Sequence, residues 1–305
     1  MSNELKKIFL TGASGYIGSC LAKKLYELGY DVHVIVRVDS DLNLIDEFND
    51  YINIYRFKGG ISNLSEIINN IKPDIVIHLA SLFLGEHLPS QLDEIINSNI
   101  LFSTQVLDVA SKANVKYFIN TGTHWQNYNG ENYNPVNLYA ATKEAFQDIC
   151  KYYAEATNMS IITIKLIDTY GPYDPRPKIM NLLKDIYFNN KTLDMSNGEQ
   201  ELGLLYIEDV IKAYLIAMEK IQKMSPKECR TFFALPKEIY SLREVVDIFQ
   251  CVVGEKLDIN WGKRPYRKRE MMKVHINDEN ILENEDIIGL YEGIKSMLEV
   301  ERTDY

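Results

Sequence analysis

Tyr139 and Lys143 stand four residues apart in Tyr139-Ala140-Ala141-Thr142-Lys143, inside a run that reads as the start of a helix. Residues at that spacing lie one above the other on a helix face, so a phenol and an ammonium can share one cleft. A nearby ammonium favours the ionised phenol and is expected to lower its pKa from about 10. A tyrosine tuned that way can protonate a nascent alkoxide, or take a proton from an alcohol, near neutral pH. The pair alone is a weak signal, because a tyrosine and a lysine so placed usually share a solvated surface.

A second constellation opens the chain. Ile8-Phe9-Leu10 reads as a short buried strand, and Cys20–Leu28 as a helix closed by Gly29. Between them lie Gly12, Gly15 and Gly18, spaced Gly-x-x-Gly-x-x-Gly. Gly12 allows a tight turn, Gly15 allows backbone to approach a pyrophosphate, and Gly18 lets helix pack on strand. Ser14, Tyr16 and Ile17 fill the turn and join this dinucleotide-binding set. The helix N-terminus adds free N–H groups and a partial positive charge. Asp31–Arg37 reads as the second strand. Where NAD-binding folds place an acidic residue for the ribose 2′-hydroxyl, this chain has Val36 and Arg37. A planar, permanently charged arginine suits a 2′-phosphate, so NADP(H) is favoured over NAD(H).

The elements that must position these groups alternate. Strands are expected at Ile52–Phe57, Pro73–Ser81 and Val115–Asn120, with a helix over Leu92–Lys112 that contains Asn99. The strand around Ile75 is apolar throughout, as a parallel strand covered on both faces should be. His78, with no carboxylate near it in sequence, reads as structural. Leu79, Ala80, Ser81 and Thr121-Gly122-Thr123-His124-Trp125 fall at C-terminal strand ends, where open α/β sheets bind ligands. The alternation predicts an α/β fold with a doubly wound parallel (Rossmann) sheet. Further helices are expected over Lys178–Asn189, Asp209–Lys220 and Asn277–Glu299, and a serine-capped one over Ser241–Val253. Trp261–Met272 is a basic run, read either as a solvated face or as a diphosphate site.

Bulk properties bound the function. The 305 residues carry a net charge of −10, which argues against nucleic acid or an anionic membrane as partner. Cys20, Cys150, Cys229 and Cys251 form no Cys-x-x-Cys pair and fit no zinc spacing, so no metal is expected. Reduced cysteines, with no signal peptide or membrane span after Met1–Lys7, imply a cytoplasmic protein.

Taken in order, these motifs make the chain resemble an extended short-chain dehydrogenase/reductase of the nucleotide-sugar branch, the NAD-dependent epimerase/dehydratase family. The resemblance rests on Gly12–Gly18, His78-Leu79-Ala80-Ser81, Asn99, Thr123, Tyr139-x-x-x-Lys143, Lys165–Pro172 and Gly198–Val210, and spans nearly the whole chain. Within the branch it is most similar to reductases of CDP-4-keto-dideoxy sugars, the CDP-abequose synthase-like group. The resemblance implies Thr123, Tyr139 and Lys143 as catalytic residues. It puts Leu79, Ala80, Ser81, Asn99, Thr121 and Leu166 beside the cofactor. Thr123, His124, Trp125, Asp168, Lys178 and Arg267 are expected to hold a sugar nucleotide. It further implies residues 1–170 as a dinucleotide domain rejoined by about 204–235, a smaller C-terminal substrate-binding lobe from 171–203 and 236–305, and a homodimer through the Leu92–Lys112 and Pro135–Glu155 helices.

The departures bear on substrate. Gly60 replaces the family's adenine-side aspartate, Asp168 an asparagine near the sugar diphosphate, and Leu202 a phosphate-binding arginine. Arg267 matches the family's later arginine, and Arg176, Lys178, Arg264 and Arg269 offer further charge. Dehydratases of the family carry Asp-Glu after the threonine; His124 and Trp125 stand there instead and argue against elimination. NADPH-dependent 4-keto reduction is therefore favoured over 4-epimerisation with tightly bound NAD. A non-catalytic redox sensor is the rival of another class.

Overall fold

The computed structural model describes residues 7–302, so the reading of Met1–Lys6 lies outside the described residues. The first half alternates as expected: β1 (Lys7–Thr11), α1 (Tyr16–Glu27), β2 (Asp31–Arg37), β3 (Asn53–Phe57), α2 (Ile61–Ile71) and β4 (Ile75–His78). Then come α3 (Leu92–Ile96), α4 (Ser103–Lys112), β5 (Tyr117–Thr123), α5 (Leu138–Ala156), β6 (Ser160–Leu166) and β7 (Asp168–Tyr170). The remainder is α6 (Ile179–Asn189), β8 (Leu193–Asp194), β9 (Glu201–Leu202), β10 (Leu204–Tyr206), α7 (Ile207–Ile221) and β11 (Cys229–Ala234). It ends with β12 (Tyr240–Ser241), α8 (Leu242–Val253), β13 (Ile259–Asn260), β14 (Glu279–Asn280) and α9 (Leu290–Arg302).

Eight parallel strands form one sheet in the order β3-β2-β1-β4-β5-β6-β11-β14. The strand order reverses direction between β1 and β4, the crevice where doubly wound sheets take dinucleotides. Side-chain alternation divides the core in two. Ile8, Leu10, Ile75, Ile77 and Ile119 pack on the α1 and α7 face, and Phe9, Val76 and Phe118 on the face of α2, α4 and α5. Both faces are covered, so every residue of β4 and β6 is buried, as a continuous apolar run requires. Three two-stranded sheets, β10–β7, β12–β9 and β13–β8, lie outside the large one.

Two helices differ from expectation. The run Leu92–Lys112 is unbroken, but Asn97–Phe102 is wound as a π-helix around Asn99. Such wide turns gather at functional sites. The helix expected over Asn277–Glu299 begins only at Leu290. Before it, β14 pairs with β11, Ile281 N–H donates to the Phe233 carbonyl, and Asn280 Oδ1 accepts from Leu235 N–H. These backbone groups are drawn to the sheet edge and leave the helix ladder. The Ser241 capping box forms as read, with Gly254 left-handed at the other end of α8.

Candidate active site

The glycine turn is set by contact. A Cβ on Gly18 would lie 2.1 Å from the Gly12 carbonyl oxygen, and one on Gly12 would lie 2.7 Å from Ala80 N. Gly12 also has φ +80°, a left-handed value that favours glycine. Gly15 precedes α1, whose first turn has no side-chain cap and no acidic residue, so its N–H groups face a cavity of about 490 Å³. The cradle fits a dinucleotide pyrophosphate. Across the crevice, Thr11 Oγ1 accepts from Ala80 N–H at 3.1 Å and bonds His78 Nδ1 at 2.9 Å. His78 Nε2 bonds Ser103 Oγ at 2.8 Å. Burial pushes the His78 imidazole down to about 3, with Lys143 adding to the effect. His78 is thus a neutral strut, as its sequence context suggested.

Tyr139 begins the second residue of α5, which Asn137 caps by accepting from Ala140 N–H at 2.9 Å. Tyr139 and Ser81 line the same cavity. Lys143 lies one turn deeper, almost fully buried. The expected acidification of Tyr139 by Lys143 is not what the structure shows. Burial pushes the phenol up to about 12, against Ser81 and the Arg176 charge, and pushes the Lys143 ammonium down to about 8. The reason is depth: the ammonium is itself desolvated, and among the described residues no carboxylate pairs with it. Thr123 ends β5. Its hydroxyl accepts from Trp125 N–H at 3.3 Å, which leaves its proton free to be donated, and its own N–H is held by Gln126 Oε1 at 2.8 Å.

A second cavity, about 340 Å³, abuts the first. Phe83, His124, Trp125, Asp168, Pro177 and Lys178 line both and form the seam. Lys178 pairs with Asp168 at 3.0 Å. Burial pushes Asp168 up, but the Lys178 charge and then His124 outweigh it and hold the carboxyl below its ordinary range. Burial also lowers His124, whose Nδ1 lies 3.3 Å from the Leu166 carbonyl. A carbonyl only accepts, so Nδ1 carries the proton and Nε2 is an acceptor. The second cavity adds Arg264 and Arg267, with the Arg267 guanidinium 5.7 Å from the Trp125 ring.

Of the residues singled out, Gly12, Gly15, Tyr16, Ile17, Gly18, Leu79, Ser81, Thr121, Thr123, Tyr139 and Leu166 converge on the first cavity. Ser14, Arg37, Ala80, Asn99 and Lys143 are not among its lining residues. Asn99 holds a loop: its Oδ1 accepts from Leu82 N–H at 2.6 Å, and its Nδ2 donates to Leu82 O and Thr142 Oγ1, both at 3.0 Å. Arg176 is committed to Asp174 and Thr169 and lies over the Tyr16 ring. Arg269 binds Asn134 and the Pro135 carbonyl, away from either cavity. Phe83 was missed. It lies in an irregular loop after β4, where no spacing rule marks a side chain as inward.

A doubly wound sheet with a glycine cradle at its switch point and a Tyr/Lys/Thr set beside it defines a dinucleotide-dependent enzyme. The model of the NAD dependent epimerase/dehydratase family matches residues 8–230, and the chain belongs to that family of NAD(P)-dependent oxidoreductase-type enzymes. Among curated relatives it is 28% identical over 289 residues to CDP-abequose synthase of Yersinia pseudotuberculosis, covering 93% of this chain and 97% of that one. It is 25% identical over 299 residues to CDP-abequose synthase of Salmonella muenchen, covering 97% and 98%. Among solved structures, UDP-glucose 4-epimerase of Thermotoga maritima with UDP-glucose superposes with a TM-score of 0.82 at 22% identity, covering 98% and 99%, a likeness of fold.

Proposed function

We propose that the protein is an NADPH-dependent reductase of the 4-keto group of a CDP-linked deoxyhexose, serving the synthesis of surface-polysaccharide (O-antigen) sugars in the cytoplasm. The observation that carries this reading is the seam, where Thr123 and Tyr139 on the dinucleotide side meet Asp168, His124 and Lys178 on the other. The full-length similarity to two CDP-abequose synthases supports the substrate class. Residues 1–170, rejoined by about 204–235, hold the dinucleotide, and 171–203 with 236–305 hold the sugar nucleotide. Two copies pair through the helices of Leu92–Lys112 and Pro135–Glu155.

Gly12, Gly15 and the N-terminus of α1 hold the pyrophosphate, Arg37 the 2′-phosphate, and Lys143 the ribose hydroxyls beside the nicotinamide. When bound, the dinucleotide would supply the hydride that reduces the ketone. Thr123 donates a hydrogen bond to the ketone oxygen and orients it. Tyr139, kept as the phenol by its buried position, gives its proton to that oxygen as charge builds there. Ser81, on the same cavity wall, favours the ionised phenol that this transfer leaves. Arg264 and Arg267 take the diphosphate, in place of the arginine lost at Leu202.

The test is NADPH consumption with CDP-6-deoxy-4-ketohexoses. One NADPH should be oxidised per hydroxyl formed, and Tyr139→Phe should lose about 10²–10⁴-fold in kcat with cofactor still bound. No consumption with any 4-keto sugar nucleotide, alongside tightly held NAD, would assign a 4-epimerase. Cofactor binding without turnover of any of them would assign a sensor.

A further inference from the structure

We infer that Gln126 is a positioning residue: its side-chain amide ties the end of β5, with Thr123, to the turn of α5 beside Lys143, and so sets the spacing of Thr123 and Tyr139; this rests on the reductase reading above. Gln126 is fully buried. Its Oε1 accepts from Thr123 N–H at 2.8 Å. Its Nε2 donates to Glu144 Oε2 at 2.5 Å and to Gln147 Oε1 at 2.9 Å, both on α5. The amide has one orientation. A backbone N–H only donates and a carboxylate only accepts, so turning the amide over would break both ends at once. The amide also lies close against the strand, where a Cβ on Gly122 would stand 2.7 Å from Gln126 Oε1.

Thr123 and Tyr139 line one cavity but come from different elements, the end of β5 and the first turn of α5. Two ties cross the gap between them. Val136 N–H donates to the Trp125 carbonyl at 2.9 Å, which reaches only the lead-in to α5. Gln126 reaches the helix itself, at the residue after Lys143. It spends its carbonyl and both amide protons on this bridge, and it is not among the lining residues of either cavity. Its effect on the reaction must therefore pass through Thr123. Two hydroxyls that act on one oxygen must be held to about 0.5 Å, and a misplacement of about 1 Å costs about 100-fold. Loss of the bridge would act on the transition state and leave the binding of sugar and cofactor in place.

The experiment follows NADPH oxidation with a CDP-6-deoxy-4-ketohexose. Gln126→Glu keeps the size of the side chain and the Thr123 end of the bridge, but sets a second carboxylate against Glu144. It should lower kcat about 10- to 100-fold, with KM for the sugar and Kd for NADPH within about threefold. Adding Glu144→Gln gives the new carboxylate a donor and should bring kcat back to within about threefold of native. A merely structural role would lower the melting temperature and leave kcat alone. The inference fails if Gln126→Glu keeps native kcat, if its loss falls in KM, or if the folded double variant recovers nothing. Should Gln126→Glu not fold, Glu144→Leu decides, because it cuts the bridge at a half-buried site. It should lower kcat about 3- to 10-fold at unchanged KM, and native kcat would overturn the inference. Should the native protein reduce no 4-keto sugar nucleotide, the reductase reading fails. The same variants are then read by C4 epimerisation of CDP-glucose and UDP-glucose, where Thr123 and Tyr139 would meet the same oxygen; no turnover there either overturns the role of Gln126 as well.

Discussion

The Lys178 ammonium stands 3.0 Å from the Asp168 carboxylate at the seam of the two cavities, with its charge 4.6 Å above the Phe83 ring. The Lys178 charge neutralises Asp168 and holds its carboxyl below the ordinary range. Lys178→Met should leave a buried carboxylate unpaired and cost about 1–2 kcal/mol of stability at pH 7, less than for a fully buried pair because both groups keep some exposure. In the native protein the Asp168 pKa is depressed, so its contribution is fully present above the unfolded value of about 3.9 and is lost as pH falls through the folded one. In the variant burial is opposed only by His124 and Arg176, so that pKa rises from its native level. The melting-temperature gap between the two should therefore be widest at neutral pH and close in acid. A gap unchanged down to pH 3 would mean that the ion pair contributes nothing.

Lys143 leads to a prediction of opposite sign. Its ammonium is held at about 8, below the ordinary value of about 10.4. The folded state therefore disfavours the charged form. Below pH 8 the full penalty applies, and stability rises with pH between the folded and unfolded values. Lys143→Met should raise the melting temperature measured at pH 7 without nucleotide, by an amount equal to about 2–3 kcal/mol at most. The gain should vanish above about pH 10. The same variant should lose reductase activity. A variant less stable at pH 7 would show that the ammonium is compensated in solution.

How far the fold was legible follows from the same physics. Buried parallel strands announce themselves by unbroken apolar runs, so β4 and β5 are legible as strands, but their ends are not: β4 is Ile75–His78 within the expected Pro73–Ser81, and β5 is Tyr117–Thr123 where Val115–Asn120 is expected. The glycine turn was legible because each glycine answers a local demand. The Tyr139–Lys143 spacing placed two groups on one helix face but said nothing of depth, and depth decides the sign of both shifts. The π-helical turn at Asn99 is not legible in the sequence, and the residue its side chain holds, Leu82, lies seventeen positions away. The stretch before α9 carries apolar residues at helical spacing, but its backbone finds better partners on β11. Phe83 was invisible for a related reason: Asn99 and Asn137, on different elements, hold the loop on either side of it.

Gly18 allows no side chain. A methyl group there would stand 2.1 Å from the Gly12 carbonyl oxygen and 3.0 Å from Ala13 Cα, both on rigid backbone. Gly18→Ala should push α1 off β1 and open the turn. We expect a loss of about 2–4 kcal/mol in stability and at least a hundredfold weaker dinucleotide binding. Denaturant unfolding and cofactor titration read the two separately. Wild-type values for both would mean that helix and strand can separate freely at this point.

Arg37 decides between the two dinucleotides. It closes β2 with its side chain 72% exposed, held among the described residues only by a 3.5 Å contact from Nε to Asp39. A guanidinium so loosely tied can turn to a phosphate at little cost. Arg56, on the neighbouring strand, cannot: its Nη1 already donates to the carbonyls of Arg37, Val38 and Ser40, each at 3.1 Å. Arg56 therefore shapes the loop, and Arg37 is left to read the ligand. Charge-assisted hydrogen bonds of this kind contribute about 1.5–3 kcal/mol. Arg37→Ala should lower kcat/KM for NADPH by about 10- to 100-fold and leave NADH within about threefold. The discriminating quantity is the ratio of the two cofactors, because a general loosening of the strand end would lower both together. An unchanged ratio would return Arg37 to a solvated strand end and remove the argument for NADPH.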